Sequence, residues 1–269
     1  MIVFGLMSCT FLGYLAASGF YVAALYDRRR ELWARGAVYF GWTAQTVYLF
    51  RPIVILGVIS TMSLYDWMAW FVWVVTGTFL VIQHRRQYAQ VGSFLIPIVF
   101  LLWVGSQGLN HPAGTQRPSI LVGWLGLYIA VATASYVVFL LAAIFGIMYM
   151  EKERELKKKQ IRLFYYQLPP LEDMDLIASR LIMVGVPLFA VALYFGAQTV
   201  KLVWGSYWAW TAKETWSFIT WLVYLVYLGL RWILGWRGHR SAIYAMLAFI
   251  VVMFNFIGVN LLFPGPRGY

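Results

Sequence analysis

The feature that most constrains this chain is a repeated length. Eight times the sequence holds a mainly apolar run of about twenty residues, bounded by charge or by Gly/Pro breaks. A helix of about 20 such residues crosses the hydrocarbon of a bilayer. There the backbone must satisfy its own hydrogen bonds, so runs of this kind are helical. They extend approximately from Met1 to Tyr26, Gly36 to Ile59, Tyr65 to Ile82, Val91 to Gly108, Ser119 to Met150, Ile177 to Val203, Ser217 to Leu234 and Ala242 to Phe263. The 269 residues therefore predict an all-α fold, a polytopic membrane protein of eight transmembrane helices forming a single domain over residues 1–269. Composition agrees: 62% of residues are hydrophobic, 12% are charged and the mean hydropathy is +0.72, outside the range of water-soluble domains. The first run has no basic segment ahead of it and exceeds the usual apolar core of a signal peptide, so it is expected to be retained.

Basic residues set the expected orientation, because Lys and Arg concentrate in cytoplasmic loops. Sixteen of the 21 follow odd-numbered runs: Arg28, Arg29, Arg30 and Arg35; Arg85 and Arg86; seven between Lys152 and Arg180; and Arg231, Arg237 and Arg240. Those loops are expected inside and both termini outside, in a multi-pass plasma-membrane protein. The net charge of +11 is thus a topology signal rather than a nucleic-acid surface, and no nucleic-acid partner is expected. Residues 151–180 form the one long cytoplasmic connection. Its Glu151–Lys159 part has Glu and Lys at helical spacing and extends the fifth helix as a solvated stub. After Pro169-Pro170, the acidic Glu172, Asp173 and Asp175 suit the N-terminal dipole of the next helix.

Several chemistries are excluded. The single cysteine, Cys9, rules out disulfide frameworks, Cys-x-x-Cys pairs and covalent Cys-x-x-Cys-His haem attachment. There is no phosphate-binding Walker loop, nucleophile elbow, His-Glu-x-x-His pair or intramembrane carboxylate pair. The chain is not expected to be an enzyme by itself.

The segment richest in chemistry is 204–216, external by the charge rule. Trp204, Trp208, Trp210 and Trp216 fall within thirteen residues, with Gly205, Tyr207, Lys213 and Glu214 among them. Two readings remain open. Trp and Tyr collect at headgroup depth as an aromatic belt. Clustered in one loop, they also make a flat apolar surface for a planar ligand, with Lys213 and Tyr207 facing its polar edges.

This segment resembles the tryptophan-rich WWD signature of the haem-handling proteins of cytochrome c maturation, the CcsA/ResC and CcmC group. The pattern is approximately Trp-Gly-x-x-Trp-x-Trp-Asp-x-x-Glu-x-Trp, filled in register by Trp204, Gly205, Trp208, Trp210, Glu214 and Trp216. Ser135-Tyr136, Glu153–Lys157, Thr220–Tyr224, Gly235–Gly238 and Gly258–Leu262 are similar as well, so the resemblance covers Tyr128 to the C-terminus well and the first four runs weakly. It implies a protein that holds non-covalent haem b at the outer membrane face. It further implies a second cytochrome c assembly membrane protein and apocytochrome c as partners, and a place within a haem lyase or synthetase.

Departures from the pattern concern iron, whose axial ligand is usually His. Only His84, His111 and His239 exist. Where the resemblance expects histidines the chain has Tyr128, Arg267 and Ala44, the last followed by Gln45, and Thr211 stands for the signature Asp. Three possibilities follow. Tyr128 or His111 is a replacement ligand. Haem binds through stacking and acidic-edge contacts to Lys213 or Arg267. Or the site is haem-free, in a regulatory or scaffold protein like HemX, a small eight-span relative associated with haem biosynthesis.

Outside this region, Arg51 near the outer end of the second run is expected as an anchor, a structural pair or an acidic-ligand contact. Lys201 is expected to snorkel to the outer surface. Asn255 and Asn260 are expected in interhelical hydrogen bonds.

Overall fold

The computed structural model describes residues 2–25, 27–56, 64–83, 90–107, 122–159 and 168–262, and among them there is helix but no strand. The helices are α1 (Ile2–Ala24), α2 (Glu31–Leu56), α3 (Leu64–Ile82), α4 (Val91–Gln107), α5 (Val122–Lys157), α6 (Leu171–Trp204), α7 (Ala212–Ile233) and α8 (His239–Met253). A short 3₁₀ turn, Arg28–Arg30, precedes α2; a π-helical turn, Phe254–Gly258, leads from α8 into a last turn, Val259–Leu262. The protein is an all-α polytopic membrane protein, as the apolar runs predict. Among the described residues, six stretches are long and apolar enough to cross a bilayer: Val3–Ala24, Tyr65–Ile82, Trp124–Lys157, Leu171–Leu202, Ala212–Ile233 and His239–Gly258. The other two expected spans are less clear-cut for physical reasons. α2 carries Glu31, Arg35 and Arg51, and α4 has 17 residues, about 26 Å of helix against a core of about 30 Å.

Helices α5 and α6 both run past their apolar runs as the flanking polar residues predict: α5 continues through the Glu/Lys stub to Lys157, and α6 begins at Leu171, directly after Pro170, with Glu172 and Asp173 in its first turn. Proline suits a helix start because it has no N–H to leave unpaired.

The chain divides into two compact units, residues 1–118 with 155–169 and residues 119–154 with 170–269. In the first, α1 and α2 touch at Gly13 and Gly41, where a Cβ on Gly13 would stand 2.6 Å from the Gly41 Cα. Small residues permit such backbone approach in membranes. Tyr14 donates to the Gln45 Oε1, and the Gln45 Nε2 donates to the Ala69 carbonyl at 2.9 Å, tying α1, α2 and α3 together. Trp42 and Trp73 stack at 5.5 Å, with Trp42 Nε1 on the Trp73 carbonyl and Trp73 Nε1 on Thr46. α4 joins through Ser93, which donates to the Tyr21 carbonyl at 3.0 Å.

In the second unit the core is aromatic. Phe139 of α5 stacks on Tyr224 of α7 at 3.8 Å and meets Phe189 of α6 edge-on at 6.1 Å. Tyr136 lies against Phe189 and Phe256, and accepts a hydrogen bond from Asn255 Nδ2 at 3.0 Å. Asn255 also bonds Ser217, so the π turn joins α5 and α7 through a buried amide, as expected of Asn255. Asn260's side chain lies outside the description. Beside Pro187, which interrupts the bonding of α6, Trp221 Nε1 donates to the Val186 carbonyl at 3.2 Å.

One end of this unit is ionic. Asp175 of α6 accepts from Arg231 of α7 at 2.8 and 3.1 Å and from the Gly238 N–H at 3.0 Å, while Arg231 also reaches Ser241 of α8 at 2.9 Å. Glu153 meets His239 there at 2.5 Å. The tryptophan-rich segment lies at the other end, separated from Arg231 by most of α7, some 30 Å at 1.5 Å per residue.

Candidate functional site

The segment between α6 and α7 is shaped by its own sequence. Gly205 ends α6 in the left-handed conformation (φ 74°), and its N–H bonds the Lys201 carbonyl at 2.9 Å. Thr211 starts α7: its side chain accepts from the Glu214 N–H at 3.3 Å. The Glu214 carboxylate in turn reaches back to the Ala209 N–H at 2.9 Å. Thr-x-x-Glu is thus a variant of the capping box, its carboxylate landing two residues ahead of the cap. The departure at Thr211 is physically mild, because Thr and Asp both cap helices.

Between these caps Trp210 takes φ 56°, a left-handed conformation that costs a bulky L-residue roughly 1–2 kcal/mol, and its side chain is 80% exposed. Trp208 is half-buried beneath it. The two indoles meet edge-on at 6.0 Å, and Trp208 meets Phe218 at the same distance; Phe218 lies 5.9 Å from Trp221. A run of rings thus follows the loop onto α7. The Trp208 Nε1 is buried with no hydrogen-bond partner among the described residues. Tyr207 is exposed and accepts from the Lys201 Nζ at 2.6 Å, so the lysine expected to snorkel is held by the loop.

Of the expected site residues, Tyr207, Trp208, Trp210 and Glu214 come together in this loop, and Lys213 is exposed in the first turn of α7. Trp216 points elsewhere, packing edge-on against Phe254 of the π turn at 4.6 Å. Trp204 ends α6 with its side chain outside the description. Tyr128 of α5 packs on Gly196 of α6, eight residues and about 12 Å of helix before Trp204. Arg267, His84 and His111 lie outside the described residues, and Arg51 is exposed on α2.

Chemically, the arrangement fits a flat apolar molecule with an acidic edge: exposed indole faces, an orphan N–H donor and nearby Lys213. It offers no imidazole for iron among the described residues, since His239 is paired with Glu153 at the unit's far end. No group of three or more His, Cys, Asp or Glu placed to hold a metal ion occurs among them either. Gln45, beside the second-run position where a ligand is expected, is buried with both ends of its amide bonded.

Sequence reasoning missed two residues, one in the site and one at the opposite end of its unit. Phe218 extends the ring cluster, signalled only by its helical spacing to Trp221. Asp175 reads like its neighbours as a dipole carboxylate, whereas it pairs with an arginine 56 residues away.

Comparison with known proteins follows the same region. The family model described as Cytochrome C assembly protein matches residues 55–266, carrying the similarity back from Tyr128 through α3 and α4. Proteins named "Cytochrome c biogenesis protein CcsA" are similar over most of their length. That of Guillardia theta is 28% identical over 227 residues, covering 77% of this chain and 75% of its own. That of Trieres chinensis is 27% identical, covering 80% and 79%. That of Heterosigma akashiwo is 30% identical, covering 70% and 69%. No solved structure matches. With its Trp-rich loop inside a match that spans most of its length, the chain belongs to the cytochrome c assembly protein family.

Proposed function

We propose that this protein is a membrane component of cytochrome c biogenesis that receives haem on the Trp208–Trp210 surface and passes it toward apocytochrome c. The single observation that carries the reading is the pairing of an outward-held indole, Trp210, with a buried and unpartnered indole N–H on Trp208. A buried donor without an acceptor costs free energy that an arriving acceptor returns. A haem carboxylate supplies that acceptor, and the rings supply stacking area. Haem is here the cargo. Trp208, Trp210, Tyr207 and Phe218 hold its faces and edge, and Lys213 neutralises its acidic side; Trp204, Gly205, Trp216, Tyr128, Arg267 and His111 complete the proposed set by resemblance.

In this reading all eight helices cross the plasma membrane, the termini and the Trp-rich loop are outside, and a second assembly protein works alongside. The excess of Lys and Arg after odd-numbered spans supports that orientation.

Haem titration of the purified protein tests it. A saturable Soret shift is expected, weakened about tenfold by Trp208→Ala or Trp210→Ala and altered in position by Tyr128→Phe or His111→Ala if either ligates iron. A second reading, a haem-free regulator resembling HemX, draws support from Gln45, whose amide is bonded at both ends where a ligand is expected. Absence of saturable binding selects it.

A further inference from the structure

We infer that Glu214 is a positioning residue: its carboxylate clamps the Ala209–Trp210 backbone so that the Trp210 indole is presented outward. The inference deepens the haem reading, on which its affinity arm rests. It gives Glu214, one of the expected site residues, a role through its neighbour Trp210 rather than in contact with ligand.

Three observations converge. Trp210 is one of two non-glycine residues with positive φ among the described residues, the other being Lys159 just past the end of α5. A bulky L-residue adopts this conformation only where its surroundings over-determine it. The surroundings here are two bonds within six residues: Glu214 Oε2 accepts from the Ala209 N–H at 2.9 Å, and Thr211 accepts from the Glu214 N–H at 3.3 Å. The backbone is thus pinned immediately before and immediately after Trp210. The product of the constraint is a tryptophan with 80% of its surface open, while Trp208 on the pinned side is tucked against Phe218. An unconstrained loop has a cheaper option, since an extended Trp210 relieves the strain and lets the ring fold onto its apolar neighbours.

Glutamine accepts the same N–H without a charge, so Glu214→Gln separates a backbone clamp from a charged contact with ligand. Hydrogen exchange of segment 205–214 in the haem-free protein is the first measurement. Glu214→Ala is expected to raise exchange at Ala209 and Trp210 about tenfold with α8 unchanged, and Glu214→Gln to remain within twofold of the parent. The second measurement is haem titration. Glu214→Ala is expected to weaken binding as much as Trp210→Ala does, the double variant to be no weaker than Trp210→Ala, and Glu214→Gln to bind like the parent. Equal losses for Glu214→Gln and Glu214→Ala, or additive losses in the double variant, overturn the inference. So does an unchanged exchange pattern in Glu214→Ala. If the parent binds no haem, the haem reading fails alone, and the exchange measurement still decides the clamp.

Discussion

Gly185 is small because the Phe139 ring occupies the space a side chain would need: a Cβ there would fall 2.5 Å from Phe139 Cε1. Phe139 cannot retreat, since Tyr224 stacks on it at 3.8 Å. Gly185→Ala is therefore expected to destabilise the protein by about 1–3 kcal/mol. Gly126→Ala and Gly229→Ala, with nothing within 4 Å, are expected to be neutral or to stabilise by up to about 1 kcal/mol. Thermal unfolding in detergent compares them, and equal effects at the three positions sink the argument. At the same scale, polar residues inside spans were legible as needing partners, but the partners were not. Gln45 and Asn255 had to bond something in an apolar setting; only packing assigned Tyr14 and Ala69 to one, Tyr136 and Ser217 to the other.

The acidic start of α6 separates local from tertiary logic among elements. Glu172, Asp173 and Asp175 are equivalent in sequence, each a carboxylate near a helix N-terminus. The fold selects Asp175, which faces Arg231 with both side chains about nine-tenths buried, so one bidentate pair joins α6, α7 and, through Gly238, the start of α8. Breaking such a buried pair leaves an uncompensated charge and costs about 3–5 kcal/mol. Asp175→Asn is expected to lower the unfolding temperature sharply, and Asp175→Asn with Arg231→Met to recover part of the loss. Glu172→Gln and Asp173→Asn are expected to change stability by less than about 0.5 kcal/mol. Similar behaviour of all three single variants would return Asp175 to a simple dipole role. The caps around the Trp-rich loop follow the opposite rule: Gly205 and Thr211–Glu214 are short-range signals, and the structure uses them where the sequence has them.

For the whole molecule, α7 carries the Trp-rich loop at one end and the Gly235–Gly238 turn, flanked by Arg231 and Arg240, at the other. If the basic end is cytoplasmic, the two ends label from opposite sides. In a Cys9→Ser background, Ser206→Cys is expected to react with an impermeant maleimide in intact cells, and Arg237→Cys only after permeabilisation. The reverse pattern inverts the protein and removes an outer-face haem site, while leaving the ring cluster itself intact. Both probe positions are exposed, so access depends on the membrane and not on burial.

The sequence alone determined the helical class and the approximate place of each helix, because hydrocarbon demands a fixed length of apolar residues whose backbones bond internally. It also determined the Trp-rich segment and its family, since a pattern of indoles within thirteen residues is carried by the chain itself. Tertiary structure alone decided which of those indoles share a surface. Trp216 and Phe218 are two residues apart, hence on different faces of α7, and one turns to the π turn while the other joins Trp208. It alone decided that Asp175 meets Arg231, because that pair depends on how the helices are oriented in space after they pack.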